Sequence, residues 1–294
     1  MVGGNQEPNY YPHLLIHYKE SLIKAFVGID DNNHLIHINN KYLEQSESAS
    51  LFYHLGMIFT QFIVHEQLGI RFLFHLSRSD LLNYDRNTNT IENQSGTRLG
   101  LYQTPDLCGI LEGGSSAVLI EAKGTNGYRK KSTVEKAESQ LSKIRSVTFN
   151  SSQTTYSNNT LKKYISYTSL NSRENFCQTL IDPVEEGEID LVIDLNTLVF
   201  NYYFNLINYM NEKGKIIENT DFTFIEYEFN NLQLGVFTEI YQKIINIIEK
   251  NSDLEGLFLE INRILDKKEG LIKKNKSIFN DGVIVAKNIS SILK

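Results

Sequence analysis

The sequence predicts a mixed α/β fold of the α+β type for its central part, with one mixed sheet flanked by helices. Three observations lead to this fold class. An amphipathic pattern predicts a helix at 46–68, and the strongly apolar stretch AVLIEAKGT predicts a strand at 117–125. A second amphipathic helix at 132–147 is followed by a strand pattern at 162–170. Since two further strands precede residue 117, the order from 46 to 170 is helix, three strands, helix, strand.

The composition excludes several classes of protein. The chain has 294 residues, and its net charge of −6 argues against a protein that binds nucleic acid through an overall basic field. A local basic face remains compatible with this charge. The two cysteines, Cys108 and Cys177, form no CxxC pattern, which argues against a zinc site and fits a reducing cytosol. No apolar run reaches the ~20 residues of a membrane span, and no signal-peptide pattern occurs, so we expect a cytoplasmic protein.

Residues 1–45 are expected to form a structural lead-in to the core. Within them, AFVGID and HLIHI flank DDNN, whose residue types favour the turn of a hairpin. The helix at 46–68 has Ser46 or Ser48 as its N-cap and Gly69 as its stop. Its apolar stripe is predicted to consist of Leu51, Leu55, Ile58, Phe62 and Val64.

The three strands after this helix are read from apolar runs and turn residues. RFLFHLS predicts a strand at 71–77, and the polar segment 80–97 is expected to be a loop. LGLYQTPDLCGIL predicts a strand at 99–111, and a Gly/Ser turn at 113–116 leads into the third strand.

The second half of the core begins with a helix and ends with a strand. Ser132 and Glu135 have the spacing of a capping box at the start of the helix. The Ser-, Thr- and Asn-rich segment at 150–160 is expected to be a loop before the strand at 162–170.

The remainder of the chain predicts a mostly helical extension for recognition or oligomerisation. IDLVID and TFIEYEF are strand candidates. NTLVFNYYFNLINYMNEKG predicts a helix that ends at Gly214, and two further helices are predicted at 237–250 and 253–268. Because no internal repeat or Pro/Gly linker interrupts the chain, we expect one compact unit. Its parts are the lead-in at 1–45, the core at 46–188 and the extension at 189–294.

Three ionisable residues lie in or beside the apolar strands of the core: Asp106, Glu121 and Lys123. Side chains alternate across a strand, so Glu121 and Lys123 share one face. A two-residue turn between the strands sets Asp106 opposite Glu121, and a four-residue turn sets it opposite Lys123, with Cβ atoms within about 5 Å. A three-residue turn would set it opposite Ala122, on the wrong face. The arrangement therefore requires an even loop or a bulge that restores the parity.

Two carboxylates at this separation repel each other unless a cation lies between them. Mg²⁺ or Mn²⁺ suits carboxylate and carbonyl oxygens, and a nearby lysine offsets negative charge that develops in a transition state. The chemistry indicated is metal-assisted hydrolysis of a phosphodiester. The alternative is a salt bridge between Lys123 and an acid at the strand edge.

The pattern Pro105-Asp106 followed by Glu121-Ala122-Lys123 resembles the PD-(D/E)XK nuclease superfamily, whose members include restriction endonucleases. The superfamily's restriction-endonuclease-like core has the order αβββαβ, the order predicted here for 46–170. The resemblance covers under half of the chain. It implies that Asp106 and Glu121 are metal ligands, that the Ala122 carbonyl is a third ligand, and that Lys123 is catalytic.

Two further site residues follow from subgroups of the same superfamily. Gln140 lies on the helix after the third strand, where some subgroups carry a glutamine followed four residues later by tyrosine; here that later residue is Ile144. A glutamate on the first helix completes the metal site in other members, and Glu66 is the candidate for that role. Gln140 as a surface residue remains an alternative.

A basic segment adjoins these residues and is the candidate for nucleic-acid binding. Its principal members are Arg129, Lys130, Lys131 and Lys136. Between 129 and 163 there are eight Lys or Arg against two Glu, within an acidic protein. A helix N-terminus beside such a cluster favours phosphate binding. The alternative is an ordinary solvated helix face.

The resemblance implies a Mg²⁺-dependent (or Mn²⁺-dependent) endonuclease, with DNA preferred to RNA as the substrate and restriction or phage defence as its setting. Three alternatives remain: an RNA-cleaving enzyme, a subunit that needs an activating protein partner, and a non-enzymatic interaction module that has kept the fold. Cutting both strands of a duplex needs two sites, so a homodimer fits the nuclease interpretation.

Overall fold

The computed structural model describes residues 12–31, 35–37, 43–76, 83–85, 90–92, 104–111, 114–150, 152–169, 177–182, 187, 189–227, 232–289 and 292. The chain divides into two compact units. The first unit is Leu22–Leu198, and the second combines Met1–Ser21 with Val199–Lys294.

The first unit holds most of the strands of the described chain. Its strands are β1 (Val27–Ile29), β2 (Leu35–His37), β3 (Leu73–His75), β4 (Asn83–Asp85), β5 (Thr90–Glu92), β6 (Leu107–Ile110), β7 (Ala117–Thr125), β8 (Ile144–Phe149), β9 (Thr154–Ser157), β10 (Leu161–Ser169), β11 (Cys177–Ile181) and β12 (Ile189–Ile193). Helix α1 (Pro12–Phe26) enters this unit, α2 (Gln45–Leu68) and α3 (Lys131–Ser142) lie within it, and α4 (Leu195–Lys213) begins in it. The expected hairpin in the lead-in is confirmed as β1 and β2, which pair antiparallel.

Helix α2 confirms the first predicted helix but begins differently. The backbone N–H of Glu44 donates to Glu47 Oε2 at 3.0 Å, so the start is closed by these two acids and not by Ser46 or Ser48. Gly69 ends the helix with a positive φ of 62°, as expected for a glycine stop. The buried face includes Phe52, Leu55 and Phe59. It is therefore rotated around the helix axis relative to the predicted apolar stripe, and Phe62, a member of that stripe, is 55% exposed.

The central sheet has five strands in the order β11-β10-β7-β6-β3. Strands β7 and β10 are parallel and pair over Leu161↔Ala117 to Ser169↔Thr125, whereas the other neighbours are antiparallel. The predicted strands at 71–77, 117–125 and 162–170 are confirmed as β3, β7 and β10. Of the predicted strand at 99–111, β6 is the described part, and residues 99–103 lie outside the described residues.

A second five-stranded sheet was not predicted from the sequence. Its order is β4-β5-β12-β8-β9, with β5, β12 and β8 parallel. The predicted helix at 132–147 ends at Ser142, because the β-branched and aromatic residues of IRSVTF pair with β12 as β8. The segments 80–97 and 150–160, expected to be loops, contain β4, β5 and β9.

Helices cover both faces of the central sheet. Met57 and Val64 of α2 pack with Val118, Ile120 and Ala122, the face of β7 that turns away from Glu121. On the opposite face, Lys123 contacts α3, as described below. Each large apolar side chain buried here stabilises the fold by about 1.5–3 kcal/mol, so the strand is held firmly from both sides.

The second unit contains an antiparallel sheet, so the prediction of a mostly helical extension is incomplete. The sheet has four strands in the order β13 (Ile217–Glu218), β14 (Phe222–Tyr227), β15 (Leu232–Phe237) and β16 (Val283–Ala286). The amphipathic helices are α5 (Thr238–Lys250) and α6 (Leu257–Lys274). The predicted helices at 237–250 and 253–268 and the strand TFIEYEF correspond to α5, α6 and β14.

The structural division falls between Leu198 and Val199, inside α4, whereas the sequence placed a boundary at 188/189. The reason is the pairing of β12 with β5 and β8, which keeps 189–193 in the first unit. The strand IDLVID was predicted correctly, but its sheet was not.

Candidate active site

Glu121 and Lys123 lie on one face of β7, and the neighbouring β6 brings Asp106 beside them. The strands pair with Leu107 opposite Ile120 and Ile110 opposite Ala117. Extending this register by one residue places Asp106 opposite Glu121, the arrangement expected for the two-residue turn. Asp106 itself immediately precedes β6 and does not lie within it, which corrects the predicted strand. The parity requirement derived from the sequence is therefore met.

Asp106 is fixed by the backbone of the adjacent strand. Its side chain is buried, and Oδ2 accepts a hydrogen bond from the N–H of Ala122 at 2.9 Å. A backbone donor to a carboxylate gives a strong, directional contact, so this oxygen is held in place.

Pro105 leaves a gap in the strand pairing at this point. Extending the register of β6 and β7 by two residues beyond its last pair sets Pro105 opposite Ala122, and proline has no N–H. The ladder bond that would reach the Ala122 carbonyl from this position cannot form, and the Ala122 N–H bonds to the Asp106 side chain. Within the described residues, Pro105 therefore supplies no backbone donor to the Ala122 carbonyl oxygen.

Glu121 is more deeply buried than Asp106, with 1% of its surface exposed. Its Oε1 accepts a hydrogen bond from Lys123 Nζ, and the two groups form an ion pair. Its Oε2 is buried and has no hydrogen-bond partner within the described residues. A buried carboxylate oxygen without a partner is costly and calls for water or a cation.

The two acids perturb each other. Burial and, to a smaller extent, the charge of Asp106 raise the pKa of Glu121 to about 7, against the opposing effect of Lys123. Burial also raises the pKa of Asp106, whereas the hydrogen bond from the Ala122 N–H and the charge of Lys123 lower it by smaller amounts. One lysine does not offset two buried carboxylates, so a further cation would stabilise the ionised pair.

The donor set fits a hard divalent cation. The Asp106 and Glu121 carboxylates and the Ala122 carbonyl offer oxygen atoms, the ligand type that Mg²⁺ and Mn²⁺ prefer. No group of three or more His, Cys, Asp or Glu suited to a metal occurs among the described residues. A cation held here would therefore rely on two carboxylates, the carbonyl and water, and Mg²⁺ usually retains several water ligands.

Gln140 and Glu66 have different positions relative to this cluster. Lys123 Nζ donates to Gln140 Oε1 at 3.4 Å, a long hydrogen bond that places Gln140 beside the lysine. Glu66 is exposed in the last turn of α2, which packs on the opposite face of the sheet. The structure thus brings Gln140 to Lys123 and does not bring Glu66 to Asp106 and Glu121.

The basic residues between β7 and α3 are on the surface. The exposed members are Arg129, Lys130, Lys131 and Lys136. Lys131 forms an ion pair with Glu135 at 3.5 Å, which reduces its net effect. Arg145, counted in the same basic segment, instead forms an ion pair with Asp190. Fewer basic side chains are therefore available to bind phosphates than the number of Lys and Arg in this segment indicates.

Sequence reasoning missed a close contact that positions Lys123. A Cβ on Gly124 would overlap the Phe52 carbonyl oxygen of α2, and a Cβ on Gly56 would lie 2.9 Å from the Gly124 nitrogen. The two glycines let α2 approach the backbone of β7 directly after Lys123. A glycine inside an apolar strand is the sequence signal for such an approach.

Comparison with known proteins identifies no family for this chain. Protein-family models, curated proteins and solved structures each give no match. Across the described part of the chain, no helix has the length and apolar character needed to span a bilayer.

Proposed function

We propose that this protein is a Mg²⁺-dependent (or Mn²⁺-dependent) endonuclease that hydrolyses DNA phosphodiester bonds with a site of the PD-(D/E)XK type. The observation that carries the proposal is the environment of Glu121. One of its oxygens contacts Lys123, and the other is buried beside a second acid with no hydrogen-bond partner in the described part of the chain.

The order of elements around the site supports the same proposal. Helix α2, strands β3, β6 and β7, helix α3 and strand β10 follow one another in the central part, in the αβββαβ order of restriction-endonuclease-like cores. Two antiparallel pairs are inserted into this order: β4 and β5 between β3 and β6, and β8 and β9 between α3 and β10. The four strands of the αβββαβ order are neighbours in one sheet, with β7 and β10 parallel.

The side chains divide the chemistry between them. Asp106, Glu121 and the Ala122 carbonyl would hold the cation. When bound, Mg²⁺ would polarise the phosphoryl group and lower the pKa of a bound water. The Lys123 ammonium would offset negative charge on the phosphate as the bond to the leaving oxygen breaks. Gln140, which accepts from Lys123, would hold the lysine in position.

The cellular setting of this activity is part of the same proposal. A cytoplasmic enzyme of restriction or phage defence fits a nuclease with a cysteine-poor sequence. Cleavage of both strands would require two copies of the site, which a homodimer supplies.

The test is nuclease activity on linear, circular and single-stranded DNA and on RNA, each with Mg²⁺, Mn²⁺ or EDTA. We expect metal-dependent DNA cleavage that falls by about 100-fold or more in Asp106→Asn, Glu121→Gln and Lys123→Met. The matched control is Glu135→Gln, which neutralises an exposed acid on α3. Wild-type activity in the three site variants, with folding verified by circular dichroism, would disprove the proposal.

A further inference from the structure

The loop between β7 and α3 is tied to the central sheet at two points. Ser169 Oγ donates to the Gly127 carbonyl oxygen at 2.6 Å, and the Lys130 N–H donates to Tyr167 Oη at 3.2 Å. Ser169 and Tyr167 both belong to β10, and Tyr167 is buried. The two residues between the tied positions, Tyr128 and Arg129, are therefore presented on a fixed backbone.

The loop carries an exposed aromatic ring beside a run of cations. Tyr128 is 70% exposed, the highest exposed fraction of any large hydrophobic side chain in the described residues. Arg129, Lys130 and Lys131 follow it directly and are exposed as well. No acidic residue occurs between 122 and 134, so this part of the surface is positively charged even though Lys131 pairs with Glu135. A fixed ring next to cations suits a ligand with flat aromatic faces and regular negative charges.

The loop continues the strand that carries the candidate active site. Thr125, at the end of β7, lies two positions after Lys123, a distance of about 7 Å at the usual rise per residue. The loop therefore begins where β7 and its parallel neighbour β10 both end. A chain bound across Lys123 would reach Tyr128 within a few nucleotides.

We propose that this loop binds single-stranded DNA, with Tyr128 stacking on an unpaired base and Arg129, Lys130 and Lys131 holding the adjacent phosphates. The inference rests on the proposed function and specifies its substrate as DNA with unpaired nucleotides beside the cleaved bond. The ring needs a free base face, which is available in a single strand and is covered by neighbouring bases in a duplex. Duplex DNA would engage only the cations.

The binding test uses the full-length protein in EDTA, so that metal-dependent cleavage does not interfere. Fluorescence anisotropy compares a labelled single strand of about 15 nucleotides with its duplex and with single-stranded RNA, at one fixed salt concentration. We expect the DNA single strand to bind most tightly. Tyr128→Ala should weaken its binding about tenfold, whereas Tyr128→Phe should bind like the wild type.

Two controls isolate the stacking contact. Tyr53→Ala removes another exposed tyrosine, on α2, and should leave binding unchanged. A strand of abasic nucleotides should bind wild type and Tyr128→Ala equally, because no base is present to stack. Equal binding of Tyr128→Ala and Tyr128→Phe to the normal strand, or equal or tighter binding of the duplex or of RNA, would overturn the inference.

Cleavage assays separate this inference from the nuclease proposal. Glu121-dependent cleavage at the same rate for single strand and duplex, unaffected by Tyr128→Ala, would overturn the inference and leave the nuclease proposal intact. Tyr128-dependent binding of single strands without any metal-dependent cleavage would support the inference and count against the nuclease.

Discussion

At the residue scale, the central feature is the imbalance of charge around Glu121. Two buried acids share one lysine, and the Glu121 Oε2 atom has no hydrogen-bond partner within the described residues. Fold stability alone would favour apolar side chains in this position, because buried ion pairs rarely improve on them. We therefore expect the charge imbalance to affect the free energy of unfolding, independently of any catalytic activity.

Raising the pH should destabilise the protein in the absence of metal. Burial raises the pKa of Glu121 from the ordinary 4.5 to about 7, so the folded state holds this proton more tightly than the unfolded chain. The stabilisation is complete below pH 4.5 and is lost as the pH rises to about 7. Urea unfolding in EDTA across this window should show a falling free energy of unfolding.

Glu121→Gln supplies the control for this pH dependence. Glutamine mimics the protonated acid, so the decline should be reduced in this variant and kept in Glu135→Gln. Addition of Mn²⁺ should raise the melting temperature of the wild type more at high pH than at low pH, because the ligands must be ionised. An identical pH profile in Glu121→Gln would show that Glu121 does not hold the proton.

Pro105→Ala tests whether the missing N–H matters for metal binding. Alanine brings an N–H opposite Ala122 and can complete the ladder bond to its carbonyl. We expect the variant to fold and to bind Mn²⁺ about tenfold more weakly by isothermal titration calorimetry, as for loss of one ligand contact. Cys108→Ala, two residues into β6, is a matched control that should leave the metal affinity unchanged. If Pro105→Ala binds Mn²⁺ with unaltered affinity, Pro105 is not what makes the Ala122 carbonyl oxygen available to the metal.

At the scale of elements, the contact between α2 and β7 sets the position of the catalytic strand. Gly56 and Gly124 allow the two backbones to touch, and Thr60 Oγ1 donates to Ser166 Oγ on β10 at 2.7 Å. The helix is thereby fixed to both central strands. Packing of this kind transmits small changes in side-chain volume to neighbouring residues.

Gly124→Ala should therefore destabilise the fold and impair the site together. The added methyl group would overlap the Phe52 carbonyl, and such overpacking costs about 1–3 kcal/mol of unfolding free energy. Gly127→Ala is the matched control, because a Cβ there lies more than 4 Å from every atom that the structure describes around it. Chemical denaturation should show a change below about 1 kcal/mol for Gly127→Ala. Equal stability of the two variants would disprove the close packing.

The elements predicted best from the sequence are those with a strong local pattern. AVLIEAKGT begins with a strongly apolar run and forms β7. The sequence placed Asp106 on the face of Glu121 and Lys123 on condition of an even loop, and the observed register meets that condition. Strand β8 was missed because IRSV continues the helical periodicity of α3, and only pairing with β12 makes it a strand. The Gly124 contact and the place of Pro105 opposite Ala122 depend on elements distant in sequence or on the register, which local patterns do not specify.

At the scale of the whole molecule, the chain is organised as two units with separate buried polar centres. In the second unit Asp281 is buried, and its side chain accepts hydrogen bonds from Tyr202 Oη and from the Val283 N–H at 2.9 Å. Tyr203 Oη donates to the Asp281 carbonyl oxygen at 2.5 Å. These contacts join α4 to the segment before β16 and involve none of the candidate active-site residues.

Asp281→Ala should lower the free energy of unfolding by about 3 kcal/mol, because Tyr202 and Val283 would lose their acceptor. Since these groups belong to the second unit, Mn²⁺ affinity at a temperature where the variant remains folded should be unchanged. Asp281→Asn, which keeps one carbonyl oxygen, should be less destabilised. Thermal unfolding and calorimetric titration measure the two effects separately, and a joint loss would contradict this separation.

Strand β10 holds both β7, which carries Glu121 and Lys123, and the loop that follows β7. It runs beside β7 from Ala117 to Thr125 and also anchors Gly127 and Lys130. The hairpin of β8 and β9 ends before β10 begins, so insertions or deletions in that hairpin need not alter the spacing between Glu121 and Tyr128. Related sequences should therefore vary most in length between α3 and β10 while the interval from Glu121 to Lys130 stays constant.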